Sequence, residues 1–282
     1  MEPKRELLAL FWTLAGVYPG DAELSRFRFT DRVTAAARAG FNGIGLWHTD
    51  LDHVAATTPL AEMKRILDGS GMTYIELEFL TDWFAEGARR RESDSRRHRL
   101  LEAAAALGRG HVKIGDFYNS PCSMERLVDA FGGLCLEAKR YGARIGFEVM
   151  ECSMVHTIGE AAELVRRAGA SNGGLVIDMV QVVNLGMTEA DLRGIPPSSL
   201  VSLELDDGLL PGTPGHDASA RRFCGEGEFD ITGFVRLMDS AGYSGPWAVE
   251  VFNREYAGLP LDELARRAFT TTTAALARAR GA

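Results

Sequence analysis

Short apolar runs recur along the chain, and each follows within a few residues of a glycine that ends an amphipathic stretch. AARAGFNGIGLWH, LDGSGMTYIELEFL, AALGRGHVKIG, AKRYGARIGFEVM, RRAGASNGGLVIDMV and MDSAGYSGPWAVEVF repeat the device. Glycine is the usual residue just past a helix C-terminus because it takes positive φ without a Cβ penalty. The runs that follow therefore read as strands, at about 8–15, 43–48, 73–80, 111–115, 144–150, 173–180, 201–206 and 246–252. The stretches between them carry helical spacing. LAEMKRILDG puts Leu60, Met63, Ile66 and Leu67 on one stripe, and SMERLVDAFGGLCLEAKRYG, TIGEAAELVRRAG and FDITGFVRLMDSAG do the same. Strands alternating with helices predict parallel pairing through helical crossovers. Eight strands is the number that closes a (β/α)8 TIM barrel, and the expectation is one such α/β domain over residues 1–282. An open doubly wound sheet is the alternative.

Composition narrows the class. The chain has 39 acidic and 31 basic residues among 282, a formal charge of -8, which argues against a nucleic-acid or anionic-membrane surface. No apolar run reaches transmembrane length. Cys122, Cys135, Cys152 and Cys224 form no CxxC pair and fit no zinc module, so free thiols in a cytoplasmic protein are the plain expectation. The opening MEPKRELLALFWTLAG mimics a weak signal peptide, but its short apolar run, closed by Pro19-Gly20, reads better as a first strand. No dinucleotide fingerprint or Walker lysine motif is present. Residues 82–98 are charge-dense and read as a solvated loop and helix start. Residues 207–228, rich in Gly, Pro and Asp, form the longest irregular segment and follow the seventh strand, where barrel enzymes carry active-site loops.

The chemistry sits late in the last four strands. Glu148 in GFEVM, Asp178 in VIDMVQ, Glu204 in VSLELDDG and Glu250 in WAVEVF each interrupt an apolar run. A single acid at a strand end is most often a helix cap or ion-pair partner. Four on consecutive strands would line one arc of the barrel mouth and repel one another unless a cation joins them. The economical cation is one divalent metal ion, and all-oxygen ligands favour Mn2+ or Mg2+. Lys113, Arg221 and Arg222 are candidates for the further positive charge such a site needs.

The runs RIGFEVM, NGGLVIDMVQV, VSLELDDG and RRFCGEGEFDITGFVRLMDSAGYSGPWAVEVFN resemble the sugar phosphate isomerase/epimerase superfamily, the xylose isomerase-like TIM barrels. The match covers most of the second half of the chain. The resemblance implies a metal held by Glu148, Asp178, Glu204 and Glu250, with Glu148 and Glu250 as the acid–base pair on opposite sides of a substrate. It implies isomerisation or epimerisation of a small sugar or hydroxy-ketone through a cis-enediolate. The family more often has His or Gln where this chain has Glu204, and often His where it has Gln181. An all-carboxylate ligand set would be harder and more anionic.

Further candidates are Lys113 as an oxyanion stabiliser, and His48, Glu78, Gln181, His216 and Arg222 as substrate-binding residues. Phe11, Trp12, Trp47 and Trp83 are candidates to wall a sugar's apolar face. Rival activities are a keto-inositol or dehydroshikimate-type dehydratase and a non-catalytic barrel subunit or binding protein; a repair endonuclease is disfavoured by only six His. The expected partner is a small carbohydrate, polyol or keto compound, without nucleic acid or membrane, in a homodimer or homotetramer.

Overall fold

The computed structural model describes residues 6–281. Eight parallel strands close on themselves in chain order. They are β1 (Leu7–Ala9), β2 (Gly43–Trp47), β3 (Tyr74–Leu80), β4 (Gly110–Ile114), β5 (Arg144–Glu148), β6 (Gly173–Asp178), β7 (Leu200–Leu205) and β8 (Trp247–Val249). Closure is made by β1 against β8, with Leu7, Leu8 and Ala9 opposite Trp247, Ala248 and Val249. The architecture is thus the single TIM barrel that the alternating pattern predicts. The main crossover helices are α2 (Phe29–Ala39), α4 (Leu60–Gly69), α5 (Gly87–Leu107), α6 (Met124–Arg140), α7 (Ile158–Ala168), α10 (Ile231–Ser240) and α11 (Leu261–Arg280). Short helices α1 (Phe11–Ala15), α3 (His48–Ala55), α8 (Met179–Asn184) and α9 (Glu189–Arg193) lie in the connections. No helix among the described residues is long and apolar enough to cross a membrane.

The helix-ending glycines behave as the pattern requires: Gly40 sits at φ 117° and Gly142 at φ 71°. Helix starts are equally local. Thr157 and Glu160 form a reciprocal capping box on α7, and Ser123 caps α6.

Two faces of each strand have different roles. Ile75, Leu77, Ile145, Phe147, Ile177 and Leu203 pack outward against the helices in the main core. Each such side chain contributes roughly 1.5–3 kcal/mol by leaving water. The alternate positions face the barrel axis. Low in the interior they are apolar, with Leu8, Tyr74 and Ala248 in one small cluster. Higher up they are charged, and the outer layer's burial offsets the cost of that charge.

Several strands end sooner than their apolar runs suggest. Residues 11–15 form helix α1 instead of extending β1. An apolar run of that length does not distinguish strand from buried helix, and all five residues are buried. β6 stops at Asp178, whose Oδ1 accepts from the Val180 amide at 3.3 Å and caps α8. β5 stops at Glu148, and β8 stops at Val249, leaving Glu250 one residue beyond it. The charge-dense segment from 87 onward is the first part of the long helix α5.

Candidate active site

Period-two alternation places Glu76 and Glu78 on the inner face of β3, His111 and Lys113 on that of β4, and Ser202 and Glu204 on that of β7. Glu148, Asp178, Asp206 and Glu250 extend the same faces at the strand ends. All are buried, and Glu76, Glu78, Glu204 and Asp206 are wholly so. Gly45 makes room for this layer: a Cβ there would stand 2.5 Å from Glu78 Oε1.

Lys113 is at the centre. Its Nζ lies 2.9 and 3.1 Å from the two oxygens of Glu204 and 3.2 Å from Glu250 Oε1. Glu76 is at 3.2 Å, Glu78 at 3.3 Å and Glu148 at 3.8 Å. A second cation arrives from the long loop after β7. Arg221 pairs with Asp178 at 2.6 Å, with Asp206 at 3.4 Å and closely with Glu250. Its guanidinium carbon lies 4.5 Å from the centre of the Phe252 ring. That loop is anchored by Asp207, which accepts from the amides of Gly208, Gly225 and Phe229 at 2.8, 2.8 and 3.0 Å.

Seven buried carboxyls thus face two cations, and the protein resolves the excess unevenly. Burial opposes ionisation at every one. At Glu76, Lys113 and His111 more than reverse it and hold the group at about 2. At Glu250, Lys113 and Arg221 also prevail, so its carboxyl stays below the ordinary value. Elsewhere burial wins. Glu148 is pushed up to about 8 despite Lys113, with Glu250 and Asp178 adding repulsion. Asp178 is raised against the pull of Arg221, and Glu78, Glu204 and Asp206 are raised well above their ordinary range. Burial disfavours charge on Lys113 and Arg221 too, but the surrounding acids outweigh it and lock both cations on.

Above the cluster is a cavity of about 260 Å3. Lys113, Glu148, Arg221 and Glu250 form its polar side, with Glu23 near the rim. Trp12, Trp47, Phe79, Phe117, Met150 and Phe252 form the apolar wall. Phe117 stacks on Phe79 with ring centres 4.8 Å apart, and Trp12 meets Trp47 edge-on at 5.0 Å.

The structure brings Lys113, Glu148, Asp178, Glu204, Glu250 and Glu78 together. Other sequence candidates lie elsewhere. His48 begins α3, and its Nδ1 accepts from the Phe79 amide at 3.4 Å; its ring is not part of the cavity lining. Gln181, on α8, accepts from the Glu151 amide, and His216 is bound to the Leu209 carbonyl within its own loop. Arg222 is outside the lining, and its backbone pairs with Asp207 while the neighbouring Arg221 reaches the acids. Of the expected aromatic wall, Trp12 and Trp47 line the cavity. Phe11 packs behind them, and Trp83 belongs to the outer core, donating to the Gly115 carbonyl. Glu76 and Asp206, which the same alternation sets beside Glu78 and Glu204, also enter the cluster. Their signal was parity, since each lies two residues from an acid already singled out.

An oxygen each from Glu148, Asp178 and Glu204 lies within 4.8 Å of the others, a spacing that suits one cation. Asp178 Oδ2 and both Asp206 oxygens accept no well-aligned hydrogen bond, although Arg221 Nη1 stands 2.6 Å from Asp178 Oδ2 and 3.4 Å from Asp206 Oδ2 as an ion pair. A hard divalent ion fits this set, because it would replace protons that burial otherwise forces onto the three carboxyls. Glu250 stands outside the converging group, held by Lys113 and Arg221.

Residues 33–274 match the xylose isomerase-like TIM barrel family, and the chain belongs to it. The 3-dehydroshikimate dehydratase of Pseudomonas aeruginosa is 27% identical over 241 residues, covering 82% of this chain and 37% of that protein. The inosose isomerase of Halalkalibacterium halodurans is 31% identical over 144 residues, 48% of this chain and 49% of that protein. The chain therefore spans half or less of the length of these relatives. Among solved structures, an IOLI protein with a bound zinc atom superposes with a TM-score of 0.84 at 20% identity, over 97% of this chain and 98% of that one. A D-psicose 3-epimerase with D-tagatose gives 0.72 at 17% identity, over 98% of each chain. These two likenesses are of fold.

Proposed function

We propose that this protein is a divalent-metal-dependent isomerase or epimerase of a small, uncharged polyhydroxy ketone or aldehyde. The observation that carries the reading is the pairing of Glu148 and Glu250 on the polar side of one small, apolar-walled cavity, beside the converging oxygens of Glu148, Asp178 and Glu204. Two carboxyls that share one cavity wall are placed to move a proton to and from a substrate carbon.

Glu148, Asp178 and Glu204 would hold the ion, Mn2+ or Mg2+ by donor type. Bound there, it supplies Lewis-acid polarisation of a carbonyl and fixes a neighbouring hydroxyl. Glu250, kept ionised by Lys113 and Arg221, takes a proton from the carbon beside the carbonyl. Glu250 then returns that proton, and Glu148, ionised once it takes the ion, is the second base that the cavity presents, for the opposite direction of an epimerisation. The aromatic wall covers the substrate's apolar face and excludes water. Both cations in the lining are already engaged with acids, and Glu23, Glu148 and Glu250 add negative character. Apart from the ion itself, a phosphate or carboxylate would meet no unengaged cation among the lining residues, which supports a neutral substrate.

A second reading, loss of water from a cyclic hydroxy-ketone, is favoured by the dehydratase likeness over 82% of the chain. In either reading a proton leaves the carbon beside a carbonyl. The test is deuterium incorporation from D2O into a panel of ketoses, keto-inositols and keto-acids, with Mn2+ present. Exchange without change in composition supports isomerase or epimerase chemistry, and it should vanish in Glu250→Gln. Release of water selects the dehydratase. No exchange and no turnover with any carbonyl compound would sink both and leave a binding protein.

A further inference from the structure

Glu204 makes the expected ion site more anionic, yet it is also the acid most closely bound by Lys113. Both its oxygens accept from Nζ, at 2.9 and 3.1 Å. The other four acids around Nζ stand at 3.2 to 3.8 Å, and Glu148 is the farthest. The pair is formed across the barrel interior, since β4 and β7 are not neighbours. Neither side chain is reached by solvent beyond 1%, so water does not screen the pair.

We propose that Lys113 and Glu204 act as one neutral unit that sets the affinity of the metal site. The inference rests on the reading that an ion sits on Glu148, Asp178 and Glu204. Such an ion would lie beside the ammonium, because Glu204 is common to both. With the ion in place Glu204 is ionised, and the ammonium cancels its charge, so the ion would meet one net negative charge fewer than its three ligands carry, in addition to the pairing of Asp178 with Arg221. Glu204 would donate to it through an oxygen already shared with Nζ. Lys113 is then a positioning residue: it holds Glu204 in place and weakens the site's hold on the ion. The expectation of an unusually anionic metal site, drawn from Glu204 alone, is thereby reversed.

The test is calorimetric titration of Mn2+ into ion-stripped wild type, Lys113→Met, Glu204→Gln and the double variant, each checked for a folded far-UV spectrum. Removing a unit positive charge next to a divalent ion should tighten binding by about tenfold or more. Glu204→Gln should weaken it by a comparable factor. The double variant, which has lost both opposite charges of the pair, should return to within about threefold of wild type, the coupling that a double-mutant cycle reads. Lys113→Gln, which keeps a polar end among the acids, should tighten binding in the same direction and serves if the Met variant does not fold. Unchanged or weaker binding on loss of the ammonium would overturn the proposal. So would a double variant as weak as Glu204→Gln alone. If Mn2+ binds but is indifferent to Glu148→Gln and Asp178→Asn, or binds none of the proteins, the metal site itself fails and the pair's role falls with it.

Discussion

Glu148→Gln isolates the energetic tension in the site. The wild-type carboxyl is buried, its closest cation is Lys113 at 3.8 Å, and Glu250 and Asp178 repel its charge. Burial first, then that repulsion, lifts it from 4.5 to about 8. A raised folded-state pKa means that the native protein holds this proton more tightly than the unfolded chain. Its contribution to stability is complete below about pH 4.5, is lost progressively as pH rises, and is gone above about pH 8. At about 1.4 kcal/mol per pH unit, the loss is on the order of 5 kcal/mol. Gln cannot ionise and avoids it. The assay is urea unfolding of both proteins between pH 5 and 9 in chelator. The stability of the variant relative to wild type should climb by several kcal/mol between about pH 5 and 8 and then level off. Excess Mn2+ should stabilise wild type at pH 8, by about 2.7 kcal/mol at a hundred times Kd, and do little for the variant. A stability gap that stays constant from pH 5 to 8 would refute the reasoning.

Two further outcomes follow from named contacts. Burial, with Arg96 adding, pulls His48 down to about 4, so its contribution is present above about pH 6.5 and lost as pH falls towards 4; His48→Asn should flatten that acid limb by about 3 kcal/mol relative to wild type in paired urea titrations, and parallel curves would count against it. Asp207→Ala removes the acceptor of three amides in the loop that delivers Arg221; at about 1–3 kcal/mol per orphaned group it should destabilise by at least about 3 kcal/mol and raise amide hydrogen exchange at residues 221–229, and unchanged protection there would show that the loop is held by other contacts.

What could be read from the sequence was whatever depends on near neighbours. Helix-ending glycines located the strands, and their number announced the barrel. Parity assigned Glu148, Asp178, Glu204 and Glu250 to inner faces, because side chains alternate along a strand whatever it pairs with. Parity also held the signal for Glu76 and Asp206. What tertiary structure decided was depth and company. The register of β6 on β7 sets Asp178 opposite Glu204, and β4 carries Lys113 into the middle of acids up to 137 residues away in sequence. An irregular loop has no period, so the choice of Arg221 over Arg222 waited on the backbone pairing of Arg222 with Asp207. The switch from strand to helix at residues 11–15 was hidden for a similar reason, since a five-residue apolar run buries equally well in either form. Local periodicity shows which way a side chain faces; only closure of the barrel shows which charges it must meet there, and those meetings set the chemistry.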